Sequence, residues 1–453
     1  MSELSNSELE TARKYDLTQK VIPFLDRHLI YPVLESLRAD DLYDDEVITQ
    51  LTFDLFKETN MTQFVKDQWE ILNPGKPIPN DIITKEAKVD EIFNKLNNDT
   101  KETLDILNLQ EVQDHLKQDK QFNREYLEKN HGITEAKINS LYEFGQFQYN
   151  RGDYVMASDL LSNFRVLSTD TDLIISATWG KLASEIIRLE WDSSLKELSK
   201  LREVIDSRSF ANPLTQLHHR TWIIHWSLFP FFNIENGLDQ LLDLFFSSSY
   251  LSTIQAASPW ILRYLVAAVV ASENSSNSSN STKSLNNLSN PTFQKRLKDL
   301  IRVVNQEQYE YNDPLTDFIK ALYIDYDFQE ANSKLLEASI ILRSDFFLAN
   351  IADSFLENAR HLISEVYCRV HQRINLQELS KSLNLTNEEG EKWIASLIKE
   401  TKMDAKIDES EGTVLLNHPN TSVYQQVIEK TKGLSFKANQ ILATALQKQD
   451  NVQ

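Results

Sequence analysis

No two of the nine glycines in this 453-residue chain stand within five residues of one another. A phosphate-cradling G-x-x-x-x-G-K-[ST] loop and a dinucleotide-binding G-x-G-x-x-G turn both need clustered glycines, because only a residue without Cβ lets the backbone approach a phosphate that closely. Neither can exist here, and the G-x-S-x-G nucleophile elbow fails for the same reason. Proline is modest at 11, while Leu, Ile, Glu, Lys and Gln are abundant. That mixture favours a mainly α chain over a glycine-rich α/β enzyme.

The length suits two to four domains or one elongated array, and 41% apolar content is ample for a core. A single cysteine, Cys368, excludes an internal disulfide framework, makes a thiolate zinc site implausible and fits a reducing compartment. Residues 1–14 are polar and lack the apolar stretch of a signal peptide. The longest apolar runs, 222–234 and 260–271, are interrupted by His225, Asn233 and Arg263 and are too short to span a bilayer. The expectation is a cytoplasmic protein without membrane contact, a nuclear fraction being left open. A formal net charge of −20 argues against autonomous nucleic-acid binding, whose affinity comes largely from neutralising phosphates with Lys and Arg.

Candidate catalytic and ligand residues are few. His218, His219 and His225 lie beside Trp222 and Trp226, and His361 precedes Glu365 by one helical turn. A zinc site on a helix needs two histidines about four apart and a converging third ligand. Neither group supplies one nearby, so satisfied core or surface histidines are expected. Asp170 with Asp172, or Asp325 with Asp327, could pair for acid/base work. They flank predicted helix starts, where a carboxylate suits the helix dipole. The aromatic run Trp222, Trp226, Phe229, Phe231 and Phe232 has no basic cluster beside it of the kind a base-stacking platform needs, and it reads as core. No enzyme activity, cofactor, metal or small-molecule substrate is expected.

Periodicity then sets the architecture. Leu17, Val21, Phe24, Leu25, Leu29, Val33 and Leu37 recur every three or four residues, which predicts amphipathic helices bending at Pro23 and Pro32. Pro74, Gly75, Pro77 and Pro79 break the chain, and 82–116 reads as one long charged helix with a narrow buried stripe. Near 141 a repeat begins: Leu141-Tyr142-x-x-Gly145 leads into Gly152-Asp153-Tyr154-x-x-Ala157-x-x-x-Leu161. Asp327-Phe328-x-x-Ala331-x-x-x-Leu335 has the same internal spacing, and Trp191-x-x-Ser194-x-x-x-Leu198 follows the first copy by about 37 residues, near the tetratricopeptide period. A small residue lets antiparallel helices approach while the aromatic fills their turn. A right-handed stack of helical hairpins is predicted, interrupted by a Ser/Asn-rich insertion at 272–290 whose composition suits a flexible surface loop.

The C-terminal part carries a winged-helix pattern. Leu376, Leu379 and Leu383 recur at helical spacing, Asn384-Leu385 makes a turn, and Thr386 with Glu389 forms a capping box. Trp393, Ile394, Leu397 and Ile398 give the second helix one apolar face, and Leu376, Leu379, Leu383, Trp393, Leu397 and Ile407 are the expected winged-helix core. Alternation at Met403, Ala405 and Ile407 and through Val414-Leu415-Leu416 predicts a wing hairpin. Glu388, Glu389, Glu391 and Glu400 outnumber Lys392 and Lys399 around the would-be recognition helix, so this module is expected to grip protein rather than DNA. Tyr424, Val427, Thr431, Leu434, Ala438, Ile441 and Ala445 alternate by three and four, a heptad seam suited to a bundle with other chains. The expected protein-contact residues are Val414, Leu415 and Leu416 on an exposed wing edge, and Tyr424, Val427, Leu434 and Ile441 on the terminal helix. The chain thus divides into an N-terminal helical region (1–135), hairpin repeats (136–365), a winged helix (366–418) and a C-terminal bundle helix (419–453).

Hairpins running into a winged helix and a terminal helix resemble the PCI architecture, with a PCI domain beginning near 225. Longer blocks are more specific. Tyr15-Asp16-Leu17-Thr18, Phe24-Leu25-Asp26-Arg27-His28-Leu29, Phe164-Arg165-Val166-Leu167, the stretches 179–186 and 220–229, Asp345-Phe346-Phe347-Leu348, Phe355-x-Glu357-Asn358-Ala359-Arg360, 404–408 and 424–432 resemble the E-subunit family of eukaryotic translation initiation factor three. The chain departs from that family in the polar residues before Tyr15, the Ser/Asn insertion, and a C-terminal tail shorter than in animal members. The resemblance implies a non-catalytic scaffold that joins other subunits of the factor through its winged helix and terminal helix. The assembled factor would bind the small ribosomal subunit and promote recruitment of initiator tRNA and mRNA, with RNA contact, for example through Lys295, Arg296 and Lys298, only inside the assembly. The alternative is a PCI scaffold subunit of the proteasome lid or the signalosome.

Overall fold

Asp26 stands where the chain breaks one helix and starts the next. The short helix Thr18–Val21 runs into a 3-10 turn, Ile22–Phe24, that holds Pro23, and Leu25 is extended at φ −104°, ψ 150°. Asp26 then caps the helix Arg27–Ala39 by accepting from the His28 backbone N–H at 3.0 Å. Pro23 therefore ends a helix rather than bending it, while Pro32 is carried inside the next one.

The computed structural model describes residues 6–107, 109, 111–112, 120–208, 210, 212–272, 291–371, 373–375, 404–408, 413–417 and 423–450. They belong to two compact units, Met1–Ile363 and Ser364–Gln453. In the first, the helices Asn6–Lys14, Arg27–Ala39, Asp45–Phe56 and Thr62–Leu72 bury small clusters around Ile30, Leu34 and Ile48 and around Phe53, Phe56 and Val65. Helix Asn80–Leu107 buries only Ile82, Val89, Thr100, Thr103 and Leu107, the sparse stripe its charges predict.

From Glu135 onward, consecutive helices pack against one another: Glu135–Arg151, Tyr154–Leu167, Thr171–Ile187, Trp191–Ser207 and Pro213–Asn233, and on through Gly237–Phe245, Leu262–Ala271, Pro314–Lys320 and Phe328–Ser344. The repeated motif has one geometry. Gly152, Leu189 and Tyr326 take left-handed φ values of 95°, 61° and 54°. Each is followed by an acidic N-cap residue (Asp153, Glu190, Asp327), an aromatic first helical residue and, three positions later, a wholly buried small residue: Ala157, Ser194 or Ala331. The aromatic-x-x-small pattern is thus the sequence trace of one reversal used repeatedly. Leu161 shows how close the helices come. A Cβ on Gly145 would lie 2.9 Å from Leu161 Cδ2, and one on Gly180 would lie 2.9 Å from Leu161 Cδ1.

The helix Leu262–Ala271 is buried at every position, Arg263 included. No single described helix is long and apolar enough to cross a membrane. Of the residues expected to form the flexible insertion, 272–290, Ser272 is buried at the end of the helix before it and 273–290 lie outside the described residues, as do Leu376, Leu379, Leu383, Trp393 and Leu397 of the expected winged-helix core and the Thr386–Glu389 capping box.

In the second unit, β1 (Arg373–Asn375), β2 (Asp404–Asp408) and β3 (Thr413–Asn417) form an antiparallel sheet in the order β1-β3-β2. Val414 pairs with Ile374 on one side and Ile407 on the other. A single helix, Val423–Asp450, follows.

Candidate interaction surfaces

The wing hairpin is present, with its register running from Asp404 opposite Asn417 to Asp408 opposite Thr413. The third strand, β1, changes what it can offer. β3 is the middle strand, paired with β2 from Thr413 to Asn417 and with β1 from Thr413 to Leu415. The expectation of an unpaired edge is corrected for Val414 and Leu415, which are paired on both sides, while Leu416 pairs with β2 through Ala405; among the described residues the outer edges belong to β1 and β2. Val414 is fully buried, and the two-residue alternation of a strand leaves its neighbour Leu415 44% exposed. Ile407 occupies the row of Val414 and Ile374.

The terminal helix carries the second expected surface. Tyr424 (81% exposed), Val427, Ile428, Leu434 (68% exposed) and Leu442 are all open to solvent. At 3.6 residues per turn these residues, with Thr431 and Ala438, fall on one stripe; the side chain of Ile441 lies outside the described residues. Every residue of this helix whose burial is described is exposed. Contiguous exposed apolar patches, unlike apolar residues scattered singly, are a general feature of association surfaces.

Of the histidines singled out in the sequence, His225 is a core residue. His225 is fully buried: its Nδ1 lies 2.7 Å from the Thr221 carbonyl, its Nε2 accepts from Trp260 Nε1 at 3.1 Å, and it stacks on Phe24. Burial pushes its pKa down to about 4, against the Thr221 hydrogen bond. Asp170 and Asp327 cap their helices through backbone N–H groups, and Asp172 pairs with Arg208. Among the described residues no three His, Cys, Asp or Glu side chains converge on a point that could hold a metal ion. Cys368 is buried, and burial, with Glu365 nearby, raises its thiol to about 12. In the basic cluster near 296, Arg296 is held by Asp239 and Asp243 at 2.8 and 2.7 Å, leaving Lys295 and Lys298 exposed.

Sequence reasoning missed two polar centres. Glu197 binds Arg165, Lys181 and Lys200 in a partly buried cluster. Burial alone would raise its carboxyl, but the Arg165 hydrogen bond and charge, with Lys200 and Lys181, hold it down to about 2. Arg263, noted in the sequence only as an interruption of an apolar run, donates to Asp313 and Asp345.

Three family models match the chain. One described as eIF3 subunit 6 N terminal domain covers residues 16–148, a PCI domain covers 338–418, and a model of the C-terminal part of the E subunit of eukaryotic translation initiation factor 3 covers 422–443. Among known proteins, the E subunit of eukaryotic translation initiation factor 3 from Yarrowia lipolytica is 54% identical over 430 residues, spanning 95% of this chain and 98% of the relative. The protein of the same name from Aspergillus oryzae is 51% identical over 439 residues, 97% of this chain and 94% of the relative.

Proposed function

We propose that this chain, which belongs to the E-subunit family of eukaryotic translation initiation factor 3, works in the cytoplasm as a non-catalytic scaffold within that factor. It holds other subunits through its winged-helix module and terminal helix, so that the assembly engages the small ribosomal subunit and recruits initiator tRNA and mRNA. RNA is met only inside the assembly. The family models at both ends of the chain are of the initiation factor, so a proteasome-lid or signalosome role is not favoured. In this reading the working parts are an N-terminal helical region (1–135), hairpin repeats (136–365), a winged helix (366–418) and a bundle helix (419–453).

The observation that carries the proposal is the exposed apolar stripe of Val423–Asp450, with Tyr424, Val427 and Leu434 open to solvent. A seam spaced by three and four residues buries itself only against other helices. The wing contributes through the outer edge of β2 and the exposed Leu415 side chain, because an unpaired strand edge can be completed by another chain. The test is co-purification from cells carrying Val427→Asp with Leu434→Asp. Partner subunits should be lost while the circular dichroism of the purified chain keeps its helical signal. Undiminished partner stoichiometry would refute the proposal.

A further inference from the structure

A cavity of about 460 Å³ opens between the N-terminal segment around Asp26 and the first hairpins of the stack, lined by Phe24, Tyr142, Tyr149, Trp179, Trp222 and Trp226. We propose that this groove binds an arginine side chain presented by an extended segment of a partner protein. The site lies wholly within the first unit and does not depend on how the C-terminal surfaces are used.

The walls are built from helix faces. Tyr142, Gln146 and Tyr149 follow one face of Glu135–Arg151, Ser176, Gly180 and Ala183 one face of Thr171–Ile187, and Trp222 with Trp226 one face of Pro213–Asn233. Trp226 Nε1 donates to the Phe24 carbonyl at 3.0 Å, which ties the N-terminal segment over the groove. Trp179 meets Trp226 and Trp222 edge to face, with ring centroids 4.7 and 5.7 Å apart. Trp179 and Trp226 are thereby buried, while Trp222 stays 37% exposed.

Among the described residues the groove holds a carboxylate without a cation. Asp26 Oδ1 accepts from Tyr149 OH at 2.5 Å and from the His28 N–H at 3.0 Å, and Oδ2 has no hydrogen bond among those residues. Neighbouring Arg27 is paired with Glu58, and burial lowers the pKa of His28, favouring its neutral form. Along the same face of Glu135–Arg151, N-terminal to Tyr149, lies a polar relay: Gln146 Nε2 donates to Tyr142 OH, which donates to Ser176 Oγ, leaving the Ser176 hydroxyl proton for a carbonyl of the incoming backbone.

A flat guanidinium stacks on aromatic rings and donates in a fork, which suits this combination better than a lysine ammonium does. The volume falls in the range of about 300–1,000 Å³ typical of small-ligand pockets. A net charge of −20 draws a cationic segment toward the site. RNA fits poorly, because among the described residues no Lys or Arg lines the groove and Asp26 repels phosphate.

The test titrates the intact purified chain, read by tryptophan fluorescence, with acetyl-Gly-Pro-Arg-Pro-Gly-amide and with the same peptide carrying citrulline or glutamate in place of arginine. The arginine peptide should saturate and bind at least tenfold more tightly than the citrulline peptide. Asp26→Asn should abolish that difference without loss of helix, since Asn also caps well, and Trp222→Ala should weaken the arginine peptide at least tenfold. Equal binding of arginine and citrulline peptides, no saturation, tighter binding of the glutamate peptide or of an oligouridylate, or an arginine preference that survives Asp26→Asn would each overturn the proposal.

Discussion

Arg263 donates through Nη2 to the carbonyl of Tyr15, 2.7 Å away and 248 residues earlier in the chain. The same guanidinium donates through Nε to Asp313 Oδ2 at 2.8 Å and lies 3.4 Å from Asp345. Asp313 is itself the cap of helix Pro314–Lys320, accepting from Thr316 N–H in a capping box, and takes the Tyr311 hydroxyl at 2.8 Å. One buried cation thus ties together the N-terminal segment, a core helix, a helix cap and the turn at 345. Burial alone would pull its pKa down, but Tyr311, Asp313, Asp345 and Tyr264 more than reverse that, so it stays charged.

Removing that cation should be costly, because it strands buried acceptors rather than simply deleting a contact. Arg263→Met is expected to destabilise the chain by about 3–5 kcal/mol, read as a lowered urea midpoint. A loss of less than about 1 kcal/mol, the range of an exposed ion pair, would show that the buried centre is not coupled as described.

His225 should make stability fall on mild acidification. Its folded pKa of about 4 lies below the ordinary histidine value of 6.5, so below pH about 6.5 the unfolded chain takes the proton more readily and stability is lost progressively down to pH about 4. Burial lowers the pKa of His361 to about 4 as well, and it acts in the same window. Urea unfolding of His225→Gln should show a shallower dependence on pH between 6.5 and 5 than the parent chain, by up to one proton. Identical slopes would contradict the assignment.

Glu197 acts in a lower window. Its carboxyl is held at about 2 against an ordinary value of 4.5, so its contribution is complete above pH about 4.5 and disappears as pH falls toward 2. Glu197→Ala leaves Arg165 and Lys181 without their shared partner and should cost about 3 kcal/mol at neutral pH. The cost should shrink when the measurement is repeated near pH 3.

Leu161 is held between two glycines whose missing Cβ atoms it replaces. Gly145→Ala or Gly180→Ala alone gains helix propensity, about 1 kcal/mol, and Leu161 can lean toward the remaining glycine. With both replaced it has nowhere to go. The double variant is expected to lose about 1–3 kcal/mol beyond the sum of the singles, and Leu161→Ala in that background should restore part of the loss. Additive thermal midpoints would mean that the helices separate freely.

The hairpins were legible in the sequence because the reversal demands a particular residue at each step: a left-handed position, an acidic cap, an aromatic and a small buried residue. Tyr154 and Ala157, Trp191 and Ser194, and Phe328 and Ala331 carry it in the order the structure uses. The terminal helix was legible from its heptad spacing. What was hidden depends on partners distant in sequence. Nothing local marks β3 as a middle strand, because β1 is only three residues long and starts 40 positions before it. Trp222 belongs to an aromatic run read as core, and Trp226, Phe229, Phe231 and Phe232 are buried as that reading requires. Trp222 itself lines a groove whose other wall includes Phe24, brought there by its bond to Trp226, 202 residues later in the chain. Arg263 and Asp313, 50 residues apart, give no sign in the sequence that they form a pair.

The exposure of the Val423–Asp450 helix has a consequence for the chain before assembly. A newly made copy carries an oily ridge in which every residue whose burial is described faces solvent, and exposed segments of this kind open easily to proteases and clump with one another. In the scaffold role proposed above, its lifetime in the cell depends on how quickly companions arrive, so that supply of those companions sets its abundance after synthesis.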